Sequence, residues 1–393
     1  MTMAAAMQSR TADAPARSKA SRIAHVDIVA DLAAAEPVWR GFEGPGHLFT
    51  PYQGFDLLGS WQRSVGAQEG AHPFVVIAFD AEHRPLALLP LAQRQGHGVR
   101  TACFMGGKHT TFNMGLWNAE FAAQANAVDL DALLAPLRDH VDVLALTQQP
   151  LRWLDQQNPL ALLPRQRAIN GCPLLVMEPG GPPASRISNS FRRRLKSKEK
   201  KLQALAGYRY HRAVSDADVT RLLDWFFRVK PARMAEQKLP NVFAEPGVEQ
   251  FIRSACLAPR GEGRVIDIHA LECNDEVIAI FAGVADGKRF SMMFNTYTLS
   301  EQARYSPGLI LMRYIIDRYA ERGYQSLDLG IGTDDYKRMF CKDDEEIFDS
   351  FVPLTSRGKF AAMAMSSLNR GKRLVKQNQV LFDLARRLRQ AFG

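Results

Sequence analysis

The sequence has no apolar run approaching the ~20 residues of a membrane-spanning helix, which excludes a helical spanning protein. Cysteine is scarce: Cys103, Cys172, Cys256, Cys273 and Cys341 are scattered, odd in number, and form no C-x-x-C pair. A disulfide-stapled scaffold is therefore excluded, and buried free thiols in a reducing compartment are expected. The nine histidines show no H-E-x-x-H or similar spacing, so no metal site is expected; His269 lies in a predicted strand as a packed residue. There is no G-x-S-x-G elbow and no Walker loop. Residues 1–24 are rich in Ala, Ser, Thr and Arg and lack the apolar centre of a secretory signal, so a disordered tail over 1–22 and a cytoplasmic protein are expected.

What the 393 residues do contain is ordinary globular composition, 46% hydrophobic and 23% charged, enough for two to three domains of roughly 150 residues each. The net charge of +9 is unevenly placed. Residues 185–205 carry a balance of +7, residues 357–393 a balance of +8, and the remainder is mildly acidic at −6. Two basic segments on an acidic body point to anionic partners: phosphates, nucleic acid or an anionic membrane surface.

Periodicity divides the chain. A helix entered through Pro51, a hairpin made by FVVIAF (74–79) and LALLPL (86–91), a helix over 130–140 and a strand over 141–147 form a first α/β unit, 23–165. The turn-rich EPGGPP (178–183) marks a linker, taken as 166–184. A second unit, 185–355, starts with a basic helix capped by Ser188 and continues with helices over 216–237 and 248–258. Three serial strands, 264–271, 276–285 and 289–297, have short turns and so are antiparallel neighbours. A helix over 309–322, a strand over 326–329, a helical turn over 336–340 and a strand over 346–352 complete it. Residues 356–393 form a basic helical tail, with apolar Leu374, Leu381, Leu384, Leu388 and Phe392 at near-helical spacing, suited to packing on the catalytic body or lying on an anionic membrane. The helix-then-hairpin order occurs in both units, which suggests a distant structural repeat.

Chemistry concentrates between Phe290 and Phe351. Ser306 is placed to cap a helix, Pro307 suits its first position, and Gly308 removes the side chain where backbone would meet a ligand. Amides at such a helix start, with the dipole's positive end, form an anion site fit for a diphosphate. SLDLGIGTDD (326–335) suggests a methyltransferase motif, but Asp334 replaces its third glycine and 59 residues are too few for the remaining βα units.

The order of strands, loop, capped helix and strand, together with SFRRRLKSKEKKL (190–202), ARYSPGLILMRYIIDRYAERG (303–323) and LDLGIGTDDYKRMF (327–340), resembles the GNAT acyltransferases. The likeness is to the branch that includes the cellulose-biosynthesis protein CelD and is related to the Fem peptidoglycan-bridge transferases. The resemblance covers about Thr50 to Pro353 and is stronger in the second half. It implies an α/β (α+β) fold of tandem GNAT-like domains, each a mixed, mostly antiparallel sheet flanked by helices, with the donor site in the second. It implies an acyl-coenzyme A co-substrate, acetyl-CoA foremost, with its diphosphate at Tyr305, Ser306, Pro307, Gly308 and Leu309, although QARYSPG departs from the usual Q/R-x-x-G-x-G/A loop. It implies direct attack of an amine or hydroxyl on the thioester, polarised by a backbone N–H where two strands splay. Tyr336 would be the acid for the leaving sulfur, Asp328 a base or an orienter of Lys337, and Lys337 a contact to donor phosphate or substrate. Arg193 and Arg233 would touch the acceptor, a small molecule or a saccharide such as an exopolysaccharide precursor. Two alternatives stand beside this reading: a Fem-like transferase using aminoacyl-tRNA, the one reading with a nucleic-acid partner, and a degenerate GNAT scaffold without activity.

Overall fold

The computed structural model describes residues 20–178, 180–332 and 334–377. The second half of the expected basic tail, 378–393, and residues 1–19 lie outside the described residues. Ser21 and Arg22, expected within a disordered tail, are ordered: Arg22 pairs with the buried Asp129 at 2.9 Å.

Two sheets of the same design carry the molecule. The first runs in the order His25–Val29, His72–Phe79, Pro85–Gly96, Val99–Phe104, Val143–Pro150, Ile347–Pro353, Gln166–Arg167. The second runs Arg209–Arg212, Asp267–Cys273, Glu276–Ala285, Arg289–Tyr297, Ser326–Asp328, Cys172–Val176, Asp343–Glu345. In each, neighbours are antiparallel except the fourth and fifth strands, which are parallel. The repeat suggested by sequence is thus a repeat of sheet topology, and the tandem mixed sheets flanked by helices are as expected.

The expected boundaries do not follow sheet membership. The stretch 166–184, expected as a linker, supplies Cys172–Val176, which sits inside the second sheet between Ser326–Asp328 and Asp343–Glu345. The last strand expected in the second unit, Ile347–Pro353, sits instead inside the first sheet, antiparallel to Val143–Pro150. Each half therefore fills the sixth position of the other half's sheet. The pattern of a strand shows which face is buried but not which sheet receives it, so sequence could not reveal the exchange.

One apolar core runs through both halves, joining Trp39, Trp61 and Trp117 of the first to Phe226, Phe251 and Ile280 of the second. At the seam, Gly247 (φ +78°) comes so close that a Cβ would lie 2.7 Å from the Ser64 carbonyl. The tail helix, Ser356–Gln377, packs on the first sheet through Ile347–Pro353 and Val143–Pro150.

The basic helix, Asn189–Gln203, is set by its one acid. Ser188 caps it, and Glu199 is buried against Arg313 of the helix Pro307–Glu321 in a two-point ion pair of 2.8 and 2.9 Å. Tyr208 and Tyr314 donate to the same carboxylate at 2.9 and 2.5 Å. Burial alone would push Glu199 up, but the guanidinium and the two hydroxyls hold it below its ordinary value. Removing one partner of such a pair strands a buried charge. Glu199→Ala is expected to lower unfolding free energy by about 3–5 kcal/mol in urea titration, whereas Lys200→Ala, on the exposed face, should change it little.

Candidate functional site

The fourth and fifth strands of the second sheet pair over three positions only, ending at Ser291 opposite Asp328. Beyond that point Arg289–Tyr297 continues and Ser326–Asp328 stops, so a wedge opens between Met292–Tyr297 and Leu329–Ile331. Phe294 pairs with Ala282 and Met292 with Gly283, leaving Met293 as a bulge facing the opening. A cleft of about 620 Å³ occupies this wedge. It is walled by the wedge itself, by Ser306, Gly308 and Leu309 at a helix start, by Lys230 and Arg233 of the helix Asp216–Glu236, by Tyr336, and by Lys108–Thr111 of the first unit.

The helix mouth is built differently from the simple cap expected. Ser306 stands at the cap position in the left-handed region (φ +58°), and its hydroxyl makes no capping bond. It accepts instead from the Lys198 ammonium at 2.8 Å. The Leu309 and Ile310 amides both return to the Ser306 carbonyl, at 3.1 and 3.2 Å. Pro307 has no N–H, so Gly308 is the first amide donor, and Lys198 adds the charge that the missing amides would have supplied. Lys198 makes no ion pair among the described residues. A Cβ on Gly308 would meet nothing nearer than Tyr297 at 3.7 Å, so the protein leaves this cradle open. Of the five expected donor residues, Ser306, Gly308 and Leu309 line the cleft. Pro307 is buried, and Tyr305 packs in the second unit's own core beneath Arg304.

Tyr336 lines the cleft from the short helix Asp335–Arg338. Its hydroxyl takes a hydrogen bond from Asn295 Nδ2 at 3.2 Å, and burial pushes its pKa above the ordinary tyrosine value. It therefore keeps its proton at neutral pH, as an acid must. Lys230 Nζ donates to the Asn295 carbonyl at 3.0 Å. Burial, and then the charge of Arg233, bring the Lys230 amine down to about 8, with Asp334 pulling the other way. Asn295 thus holds a protonated phenol and a partly neutral amine side by side.

Lys337, expected to contact donor phosphate or substrate, lines the cleft and is engaged there by the protein itself. Its ammonium donates to the carbonyls of Gly330 (3.2 Å) and Ile331 (2.9 Å) and meets Asp334 Oδ2 at 3.2 Å. Its three donors thus have three partners, which tie Lys337 to Gly330, Ile331 and Asp334. Asp328 is fully buried and does not line the cleft. One oxygen accepts from the Ser291 hydroxyl, the other from the Gly330 amide at 3.1 Å, with Cys172 Sγ 3.7 Å away. It is a structural carboxylate tying strands together. Arg233 lines the cleft with its guanidinium 3.5 Å above the Tyr297 ring, whereas Arg193 is exposed on the outer face of its helix.

Sequence reasoning missed Lys198, Lys230, Asn295 and the whole contribution of the first unit. His109 is among the lining residues: Trp61 Nε1–H donates to its Nδ1 at 3.1 Å, which puts the ring proton on the buried Nε2, and burial lowers its pKa. Tyr52 reaches the Met292 carbonyl at 3.4 Å and braces the wedge from behind. Elsewhere, His211, Asp218 and Glu272 have ligand atoms within 4.8 Å of one another. Arg221 bonds both carboxylates and Arg209 bonds Glu272, so cations already occupy the centre of that group. His269 is packed between the Tyr210 and Tyr319 hydroxyls at 3.0 and 3.1 Å, and burial drops its pKa to about 3.

Residues 189–338 match the family model described as acetyltransferase (GNAT) domain. This stretch lies within the second unit and takes in its wedge, its helix mouth and Tyr336. No curated protein matches the chain in sequence. Among solved structures, the chain is similar to the C-terminal domain (DUF2156) of a protein described as a lysylphosphatidylglycerol synthetase from Agrobacterium fabrum, at 12% identity and TM-score 0.50, covering 86% of this chain and 95% of that one. It is similar to a conserved protein of unknown function from Bacteroides thetaiotaomicron, at 12% identity and TM-score 0.51, covering 84% and 100%. FemX gives 9% identity and TM-score 0.50, covering 78% and 97%. At such identities the likeness speaks of the fold. No helix among the described residues is long and apolar enough to cross a membrane.

The buried Asp328 gives a pH test. Burial raises its pKa to about 6 in the fold against 3.8 for a free carboxyl. Between those values the unfolded chain releases this proton first, so stability falls as pH rises and the full cost is present above about 6. Asp328→Asn removes this slope. Moving from pH 3.5 to 7 should shift the balance toward the variant by on the order of 3 kcal/mol, measured by paired urea titrations; parallel curves would refute the assignment.

Proposed function

We propose that the cleft transfers an acyl group, acetyl in the simplest case, from acyl-coenzyme A directly to an amine or hydroxyl, as the CelD-type resemblance implies, and that the acceptor is anionic. The observation that supports this most is that the open helix mouth at Ser306–Leu309 and the Tyr336 hydroxyl line one continuous cleft in the strand wedge. Gly308 N–H and Lys198 hold the donor's diphosphate. The wedge supplies backbone amides for the thioester carbonyl, which becomes negative as the acceptor attacks. Lys230, near 8, takes the acceptor's proton, and Tyr336 gives one to the departing sulfur. Donor thioester and acceptor become acylated acceptor and free thiol, with the proton balance closed by these two side chains.

The acceptor side is cationic. Its charge comes from Arg233, one turn beyond Lys230 on the same helix, which makes no ion pair among the described residues; Lys230, neutral when it acts as the base, adds none. This suits an acceptor bearing a carboxylate or phosphate, such as an acidic or nucleotide-linked sugar of exopolysaccharide synthesis. The reading places the reaction in the cytoplasm, in keeping with five free cysteines.

Calorimetric titration of acetyl-CoA should show one site, with Gly308→Glu abolishing it while the melting temperature holds. Lys198→Ala should weaken it about tenfold or more, the weight of one charge-assisted bond. Binding of aminoacyl-tRNA with no response to acetyl-CoA would replace this reading with the Fem-like one, and binding of neither would leave a scaffold. With an acceptor found by thiol-release screening, Tyr336→Phe should slow turnover about 10²–10⁴-fold. The rise of rate with pH through about 8 should vanish in Lys230→Met.

A further inference from the structure

The helix Ser356–Gln377 turns the usual amphipathic arrangement outward. A helix on a globular body normally buries its apolar stripe. Here the inner face is small and polar. Gly358 lies so close that a Cβ would fall 1.7 Å from the Asp142 carbonyl oxygen. Ser366 donates to Gln166 at 2.7 Å, and Asn369 donates to the buried Asp349 at 2.9 Å. The opposite face carries Phe360, Met363 and Leu374, at steps of three and eleven residues, with Leu368 beside it. Their exposures are 74%, 61%, 59% and 63%.

Charge flanks this stripe on both sides. The helix holds Arg357, Lys359, Arg370, Lys372, Arg373 and Lys376 and no acid. None of the six forms an ion pair among the described residues. Where Arg370, Arg373 and Lys376 bond the body, their acceptors are the Gln166 side-chain amide, the Arg167 carbonyl and the Asn170 side-chain amide, all neutral, so their charge is uncompensated. Exposed aromatic and aliphatic side chains bordered by unpaired cations match the layered chemistry of an anionic bilayer surface: acyl chains beneath, phosphates around. A second protein copy would bring six more cations to the same seam, and a nucleic acid would leave the apolar stripe wet.

We propose that the helix Ser356–Gln377 docks this protein flat on an anionic phospholipid bilayer, with Phe360, Met363, Leu368 and Leu374 entering the headgroup layer. This inference stands apart from the acyl-transfer reading, since these residues are not among those lining the cleft. The test is flotation of the full chain with vesicles of phosphatidylcholine alone or mixed with phosphatidylglycerol. The protein is expected to float with the mixed vesicles only, and less as salt rises, because exposed charges are screened. Phe360→Ser with Met363→Ser should cut vesicle binding about tenfold or more, the transfer value of two apolar side chains, with an unchanged melting temperature because both side chains are already exposed. Equal flotation with neutral vesicles, no flotation, or a double variant that floats like the parent would overturn the proposal. So would vesicle-free self-association, or RNA binding that displaces the vesicles, if the double variant abolished it.

Discussion

Three strands meet at one buried carboxylate, and the cleft exists because they do. Asp328 ends the short fifth strand of the second sheet. It accepts a hydrogen bond from the Ser291 hydroxyl on the fourth strand, lies beside Cys172 on the sixth, and turns its own chain back through the Gly330 amide. That knot fixes where the parallel pairing stops. Past it the fourth strand continues alone, Met293 bulges, and the wedge opens at a defined depth. A charged group in an apolar interior costs free energy, and its raised pKa records that cost. What it secures is geometry: Tyr336, Asn295 and the helix mouth all take their positions from the wedge.

The first unit is not a bystander to this. Between its own fourth and fifth strands it has two short helices, Ala119–Gln124 and Ala127–Leu134, where the second unit has the fifteen-residue Pro307–Glu321. The second of these short helices is opened by an Asn126–Asp129 capping box, and Asp129 is itself held by Arg22. Carboxylate and amide already fill the place where the other half has an open mouth. The first unit contributes a wall instead, the 107–111 loop, and a brace, Tyr52.

Much of the fold was legible. Strand alternation, the entry through Pro51 and the Ser188 cap give local signals that tertiary packing did not override. The site was legible in part. Ser306, Gly308, Leu309, Tyr336 and Arg233 do share a cleft, since each lies on an element whose place in the sheet follows from chain order. Lys198 was hidden among eight similar cations, and only the burial of Glu199 one residue on shows which way it faces. Lys230 looks like any helical lysine until Phe243 and Arg233 are packed around it. Lys337 shares the cleft with Tyr336, but the two carbonyls and the carboxylate that engage it come together only in the fold.

The crossing of strands between the halves also decides what can be cut out of this protein. The segment recognised as a transferase begins at residue 189, yet an interior rung of its sheet comes from 172–176. A fragment trimmed to the recognised borders would present Leu327 and its neighbours as a bare edge, open to whatever backbone arrives first. The smallest autonomous piece is larger than the piece that carries the signature, and a fusion that ignores this would join two incomplete halves.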